Sequence, residues 1–537
     1  MSVFVLISCN SKEKEEVTET TLELYKVIFS ECQIKPKVYS GAWGVLVIWP
    51  GPRDHLSSHI STPELWSSCI GWCPNTEVAD WLYRSLHDGH LQTEEMKPLI
   101  GSEESLGLFV HIKAAKKSAA VIPDPYGLYP LYIAKVAKTR VISNNPLLVL
   151  ALEGINPEIS KKALWERVIT EGNLGSETLF TRVRRLEKCE WVYLSEAGIS
   201  TRSYTLENKE INALRLIELL QKSYLKIISS GRQVVLKLTG GMDSRLNLGV
   251  AVSLGEQPLC YTINSPDTLI ASDLARKFGL PHLVVDTKGQ PLPVSTSQHR
   301  FDAKEAVFIT GGCGELARAF YLKTIHKNHL DAVLAKYLSP KRRAMLSGVK
   351  ISALSARLEE RIKELNNSSE KTFFDPVDGI YVDRIRTWYA EAWTEPLGSN
   401  DCPLLLGPAI YNYARGFDIN SRADSVPHSV LIEKLLGGDL PPYLKLRGNL
   451  ASCTLRHSPS YIQVFAYKLI YACARISASS SRNCIQQTSC LIKFFDSAEM
   501  QNLILCRPTI LKKLQNVMES VNRLEALAPA PWRRRSL

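Results

Sequence analysis

The segment Val234-Val235-Leu236-Lys237-Leu238-Thr239-Gly240-Gly241-Met242-Asp243-Ser244-Arg245 runs from an apolar stretch through paired glycines into residues that suit a helix. Its first five residues read as a short buried strand. Before it, Leu216, Leu220, Tyr224 and Ile227 recur at helical spacing. After it, Pro258 to Ile263 reads as a strand, Ile270, Leu274 and Phe278 line one face of a helix, and His282 to Val285 reads as another strand. Strands alternating with helices in this way predict a parallel sheet with right-handed crossovers. Such sheets bind ligands beyond the carboxyl ends of their strands, so the turn after Leu238 is where chemistry is expected.

Two adjacent glycines at that turn let the backbone come close to an anion, and the following helix offers free amides and the positive end of its dipole. Thr239 and Ser244 add hydroxyl donors. A phosphate or pyrophosphate is therefore expected against Leu238, Thr239, Gly240, Gly241, Asp243, Ser244 and Arg245. Asp243 beside an anion makes sense if a magnesium ion bridges carboxylate and phosphate oxygens. The competing reading is a tight turn with no ligand. A Ser/Thr-Gly-Gly-x-Asp-Ser pattern arises by chance in roughly one chain of this size in a thousand, which weighs against it.

The whole chain of 537 residues has 65 Lys and Arg against 54 Asp and Glu, with 45% hydrophobic and 22% charged residues. That composition is globular and excludes a disordered or fibrous protein. The length suits about two to four domains. Residues 1–200 read as strands broken by turns, at Val3 to Ser8, Gly44 to Trp49, Gly107 to Ile112, Ser118 to Ile122, Leu131 to Ala134 and Trp191 to Leu194. This part is expected to be mainly β. The net charge of +11 is dispersed, and its densest clusters are Lys341-Arg342-Arg343, Arg182-Val183-Arg184-Arg185 and Arg533-Arg534-Arg535. A polyanionic partner is permitted but not required. Thirteen cysteines are scattered without a Cys-x-x-Cys, so neither a disulfide framework nor a zinc site is indicated. The apolar run Val3 to Ile7 is short for a secretory signal, and no stretch reaches the ~18 apolar residues of a membrane span. A reducing, cytoplasmic setting is expected.

The glycine turn resembles the pyrophosphate loop of the ATP pyrophosphatases, which activate a carboxylate or carbonyl by adenylation. Gly107-Leu108-Phe109, then Asp124-Pro125-Tyr126-Gly127-Leu128-Tyr129-Pro130-Leu131-Tyr132, then Thr178-Leu179-Phe180-Thr181-Arg182-Val183-Arg184-Arg185-Leu186 resemble successive signatures of the asparagine synthetase family, in order before that loop. Thr310-Gly311-Gly312-Cys313-Gly314-Glu315 resembles the family's second glycine loop, and Leu440-Pro441-Pro442-Tyr443-Leu444-Lys445-Leu446-Arg447 its C-terminal Leu-Pro to Arg segment. The resemblance covers about residues 1–450. It implies an α+β domain over 1–205 similar to a class II glutamine amidotransferase, an Ntn-type β sandwich. An α/β parallel-sheet ATP-pyrophosphatase domain with a helical C-terminal part would follow over 206–537. It also implies ATP and Mg2+ as cofactors, Asp243 and Glu315 as metal ligands, and adenine recognition by backbone groups where strands end at Leu238 and Ile263.

Departures from the family pattern bear on function. Glutamine-dependent members carry Cys at position 2, whose thiol attacks glutamine; here the residue is Ser2, a much poorer nucleophile. The first domain is therefore expected to lack glutaminase activity, as in the β-lactam synthetases and the macrolactam-forming lasso-peptide cyclases, which use an amine already on the substrate. Gly312 falls where some relatives carry a base that deprotonates the attacking amine, and Glu391, within Trp388-Tyr389-Ala390-Glu391-Ala392-Trp393, is a candidate in its place. Relatives carry a catalytic lysine two residues after the arginine matched by Arg447; that position is Asn449, which leaves Lys445 or Lys468 to supply a fixed cation. His111 and His282 read as isolated core or surface histidines.

The expected function is ATP-dependent amide formation through an acyl-adenylate, with AMP and pyrophosphate as products. An amine tethered to the same molecule competes best with water for the adenylate, so intramolecular closure is preferred. A precursor peptide closed to a macrolactam, with a partner protease to process it, fits this logic. The rivals are lactam formation from a small β-amino acid, amidation of a small molecule or sugar acid, a tRNA-modifying enzyme, and a non-catalytic scaffold descended from a synthetase. Neither a membrane nor a nucleic-acid partner is expected, and a homodimer is compatible with the reading.

Overall fold

The computed structural model describes residues 3–29, 34–50, 59–61, 65–72, 86–87, 90–91, 106–170, 172–204, 206, 210–265, 267–285, 306–321, 329–337, 348–367, 375–393, 401–437 and 521. Two compact units are made from interleaved stretches of chain. One comprises Met1–Lys209, Tyr321–Ser399 and Cys484–Leu537, and the other Glu210–Phe320 and Asn400–Asn483.

The first unit is built on strands β1 (Val3–Ile7), β2 (Lys37–Gly41), β3 (Gly44–Trp49), β4 (His59–Ser61), β5 (Leu65–Trp72), β6 (Leu86–His87), β7 (His90–Leu91), β8 (Leu108–Ala115), β9 (Ser118–Pro123), β10 (Tyr132–Ala134), β11 (Val141–Ser143), β12 (Val183–Arg185), β13 (Glu190–Ser195) and β14 (Gly198–Ser203). They form two six-stranded sheets, ordered β12-β10-β11-β1-β3-β2 and β14-β13-β9-β8-β5-β4, plus the small β6-β7 pair. Both large sheets pair antiparallel. Every residue of β1, β3, β8 and β9 is buried. The apolar runs seen in sequence are thus strands covered on both faces rather than alternating ones.

The Lys14–Ile28 helix presses Val17, Thr21, Leu24, Tyr25 and Ile28 inward, and Tyr25 stacks on Trp49 with centroids 4.0 Å apart. The sequence reading does not anticipate this helix. In the Asp124 segment that resembles a family signature, the buried carboxylate accepts the amides of Tyr126, Leu128 and Tyr129 at 3.1, 3.1 and 2.7 Å. It closes a tight turn between β9 and β10.

The helices Gly348–Asn367 and Pro376–Trp393 belong to this first unit, although the expected domain scheme puts all of 206–537 in the second. The reason is a buried ionic cluster. Asp383 accepts from Arg361 Nε at 2.8 Å and from the Gly175 amide at 3.0 Å, and pairs with Lys188 Nζ at 3.0 Å. Arg386, fully buried, donates to the carbonyls of Gly127 and Leu186. Burial alone would raise the Asp383 carboxyl, but Arg361, Lys188 and Arg386 reverse this and hold it well below the usual carboxylate range.

The second unit carries the parallel sheet that the sequence predicts. Its strands are β15 (Val234–Lys237), β16 (Leu259–Ile263), β17 (His282–Val285), β18 (Val307–Thr310) and β19 (Asp401–Pro403), ordered β17-β16-β15-β18-β19. Every pairing is parallel. Val235, Leu259, Leu283, Val285 and Ala306 form a core cluster in it. From β15 the chain builds outward through β16 and β17, then returns to place β18 on the other side of β15. The crevice where strand order reverses lies between the carboxyl ends of β15 and β18, which is where such sheets accept ligands.

Candidate functional site

Leu238, fully buried, follows β15 and donates its amide to Tyr261 O at 2.9 Å. The next three residues turn the chain into the Met242–Ser253 helix, whose N-cap is Gly241 with no side chain capping it. The first-turn amides and the positive dipole end are thus presented without an internal carboxylate or hydroxyl cap. Thr239 and Ser244 shape the loop. Ser244 Oγ lies 3.0 Å from both Thr239 O and Thr239 Oγ1, and the Gly241 amide donates to Thr239 Oγ1 at 3.1 Å. Both hydroxyls are engaged by the loop itself, where the sequence reading has them facing an anion. Arg245 likewise turns back, with Nε donating to Gly240 O at 3.2 Å.

The second glycine loop lies against the first. Asn247 Nδ2 donates to Thr310 O at 2.9 Å, which ties the Met242–Ser253 helix to the end of β18. Gly311 and Gly314 are small because Asp243 is there: a Cβ on Gly311 would stand 2.7 Å from Asp243 Cβ, and one on Gly314 would stand 2.6 Å from Asp243 Cγ. Between them Cys313 takes a left-handed φ of 73°, and a short 3-10 turn, Gly314–Arg318, ends on Ala319 with φ of 47°. Non-glycine residues in this region are strained, and such strain concentrates at functional loops. Arg422 Nη2 holds the turn by donating to Leu316 O at 2.5 Å.

Four charged or titratable side chains meet here. Arg318 Nη2 lies 2.7 Å from Asp243 Oδ2 and 3.7 Å from Glu315 Oε1. On the other side of the carboxylate, His428 Nε2 is 2.9 Å from Asp243 Oδ1, within ion-pair reach though off the line of a hydrogen bond. His428 is 1% exposed and Asp243 14%. The Asp243 carboxylate is therefore held between two nitrogen-bearing side chains at the mouth of the glycine loop.

The donor set fits a divalent cation with oxygen ligands, since two carboxylates from separate loops converge on one position, now taken by a guanidinium nitrogen. Among the described residues no group of three or more His, Cys, Asp or Glu is placed to hold a metal. Magnesium held by two carboxylates would complete its octahedral shell with waters and phosphate oxygens.

Of the other expected site residues, Ile263 ends β16 half-exposed; Leu269, in the Thr268–Lys277 helix that follows, is half-exposed too. Gly312 lies in the second loop, and Glu391 falls on the backbone of the Pro376–Trp393 helix, in the other unit. Ser2, Lys445, Arg447, Asn449 and Lys468 lie outside the described residues. His282 has partners: Nε2 is 2.8 Å from Thr262 Oγ1, which donates to Leu238 O at 2.8 Å, and Nδ1 is 3.3 Å from Ser272 Oγ. Burial pushes its imidazole below the usual value. His111 is buried in β8. Arg318 and His428 are absent from the expected site. Arg318 stands three residues beyond Glu315, one 3-10 turn on, and that spacing was the available signal; His428 had none.

No family model matches the chain, and no curated protein matches it. Among solved structures, one described as the allosteric regulatory enzyme of purine biosynthesis is 14% identical, covers 59% of this chain and 76% of that chain, and has a TM-score of 0.26. Glutamine phosphoribosylpyrophosphate amidotransferase from B. subtilis, complexed with ADP and GMP, is 14% identical, covers 59% and 77%, and has a TM-score of 0.23. Among the described residues, no helix is long and apolar enough to cross a membrane.

Proposed function

We propose that this chain is an ATP-dependent carbon–nitrogen ligase that activates a carboxylate as its adenylate and closes it onto an amine of the same molecule. The observation that carries the reading is the uncapped glycine turn after the central strand β15, packed against a second glycine loop at the point of strand-order reversal.

In this reading the amides of the Met242–Ser253 helix start bind the polyphosphate, and Ile263 with Leu269 offers an apolar edge for the base. A substrate carboxylate oxygen attacks the α-phosphorus and the bond to the β-phosphate oxygen breaks, releasing pyrophosphate. The amine then attacks the acyl carbon, AMP leaves, and the proton lost from nitrogen passes to a base. Asp243 and Glu315 would hold magnesium, which supplies charge neutralisation for the pyrophosphate leaving group. The substrate class proposed is a peptide with an Asp or Glu side chain and a free N-terminal amine, delivered by a protease. Exchange of labelled pyrophosphate into ATP, stimulated by such a peptide, tests the first half; loss of one water from the peptide mass tests the second. Release of ADP and phosphate would rule out adenylation. Lactam formation from a small amino acid, with the peptide unchanged, would overturn the substrate class.

A further inference from the structure

Arg318 is the feature of this site that the adenylation reading leaves unused. One guanidinium nitrogen stands between Asp243 and Glu315, at 2.7 and 3.7 Å, with the side chain only 10% exposed. Two carboxylates share this one guanidinium, with the His428 imidazole on the far side of Asp243, and carboxylates facing a polyphosphate repel it. A divalent ion on the carboxylates would neutralise them and repel the guanidinium. Arg318 belongs to a 3-10 turn bracketed by the left-handed residues Cys313 and Ala319. Its planar fork suits phosphate oxygens as well as carboxylates.

We infer that Arg318 is a nucleotide-binding residue that serves as the site's internal counter-cation. Without nucleotide it neutralises Asp243 and Glu315 and competes with the divalent ion. With nucleotide the ion takes the carboxylates and the guanidinium moves to the polyphosphate. The inference rests on the proposed nucleotide site and adds a cation to it. No bond is made or broken in the exchange, only ion pairs.

The test uses the full-length chain with Arg318→Met and Arg318→Gln, two neutral replacements of similar length, so that one failing to fold leaves the other to be read. Mn2+ binding without nucleotide is followed by loss of the free ion's EPR signal, and inorganic pyrophosphate binding in the presence of Mn2+ by calorimetry. Loss of a charge-assisted contact should tighten Mn2+ about tenfold and weaken pyrophosphate about tenfold. Unchanged or weaker Mn2+ binding in a folded variant overturns the competition. Pyrophosphate bound equally by wild type and variant overturns the phosphate role while leaving the nucleotide site standing. A wild type that binds neither pyrophosphate nor ATP removes the nucleotide reading itself, and this inference with it.

Discussion

Gly314 and Asp243 stand so close that a single methyl group at Gly314 would lie 2.6 Å from Asp243 Cγ. The carboxylate at the mouth of the first loop can keep its place only while the second loop carries no side chain there. Gly314→Ala should leave the unit folded, with an overpacking cost of about 1–3 kcal/mol, while it displaces Asp243 from Arg318 and His428. The expected result is a fall in pyrophosphate exchange of about tenfold or more from misplacement alone. Exchange at the wild-type rate in a Gly314→Ala protein would show that the position of Asp243 does not matter to the reaction.

Ser2, a hydroxyl and so a much poorer nucleophile than a thiol, leads to a prediction about nitrogen. With labelled glutamine and ATP turnover under way, neither glutamate release nor labelled amide product is expected, and Ser2→Ala should leave ATP-dependent product formation unchanged within about twofold. Stoichiometric glutamate would mean that the hydroxyl is activated and that ammonia is the nucleophile.

Asp383 holds the first unit together through three buried cations. Asp383→Ala leaves Lys188, Arg361 and Arg386 without their shared carboxylate, in a place where Lys188 and Arg386 are 0% exposed. Removing one partner of such a cluster costs about 3–5 kcal/mol. Denaturant unfolding should register it as a shift in midpoint. A loss under about 1 kcal/mol would mean that water or another group compensates the cations.

Glu166 gives the first unit a pH dependence. Its carboxyl, 1% exposed, accepts the Leu174 amide at 2.5 Å and Arg357 Nε at 3.3 Å. Burial pushes it up to about 7, with the Leu174 amide and Arg357 opposing. Between the ordinary carboxyl value and about 7 the folded chain holds a proton that the unfolded chain has released. Stability therefore falls as pH rises through that window, by on the order of 3 kcal/mol from this group. Glu166→Gln keeps an oxygen for the Leu174 amide and removes the titration. Its melting temperature relative to wild type should climb from pH 5 to pH 8; parallel curves would contradict the assignment.

The glycine loop was legible because its signal is local: β15, the turn and the helix lie within twenty residues, and the periods of the flanking elements are unambiguous. The strands of the first unit were legible for the same reason, as continuous apolar runs. The Lys14–Ile28 helix was missed although Val17, Thr21, Leu24, Tyr25 and Ile28 keep helical spacing, because acidic residues dilute the pattern. Arg318 was readable only from its spacing to Glu315 and His428 not at all, since what places them at Asp243 is a 3-10 turn and a helix start 110 residues apart in the chain. The ownership of 321–399 was hidden in a similar way: nothing near Lys188 in the chain points to Asp383, which lies 195 residues further on.

The interleaving of the two units also sets the order in which the protein can be made. As the chain leaves the ribosome, Lys188 emerges long before Arg361, Asp383 and Arg386, and a lysine destined for full burial must wait in water until the Pro376–Trp393 helix arrives. The parallel sheet waits too, because β18 remains an open edge until β19 is synthesised after that same insertion. Nascent chains shorter than about 400 residues therefore carry an unfinished ionic cluster in one unit and, in the other, an unpaired strand edge of the kind that exposes a chain to aggregation during synthesis.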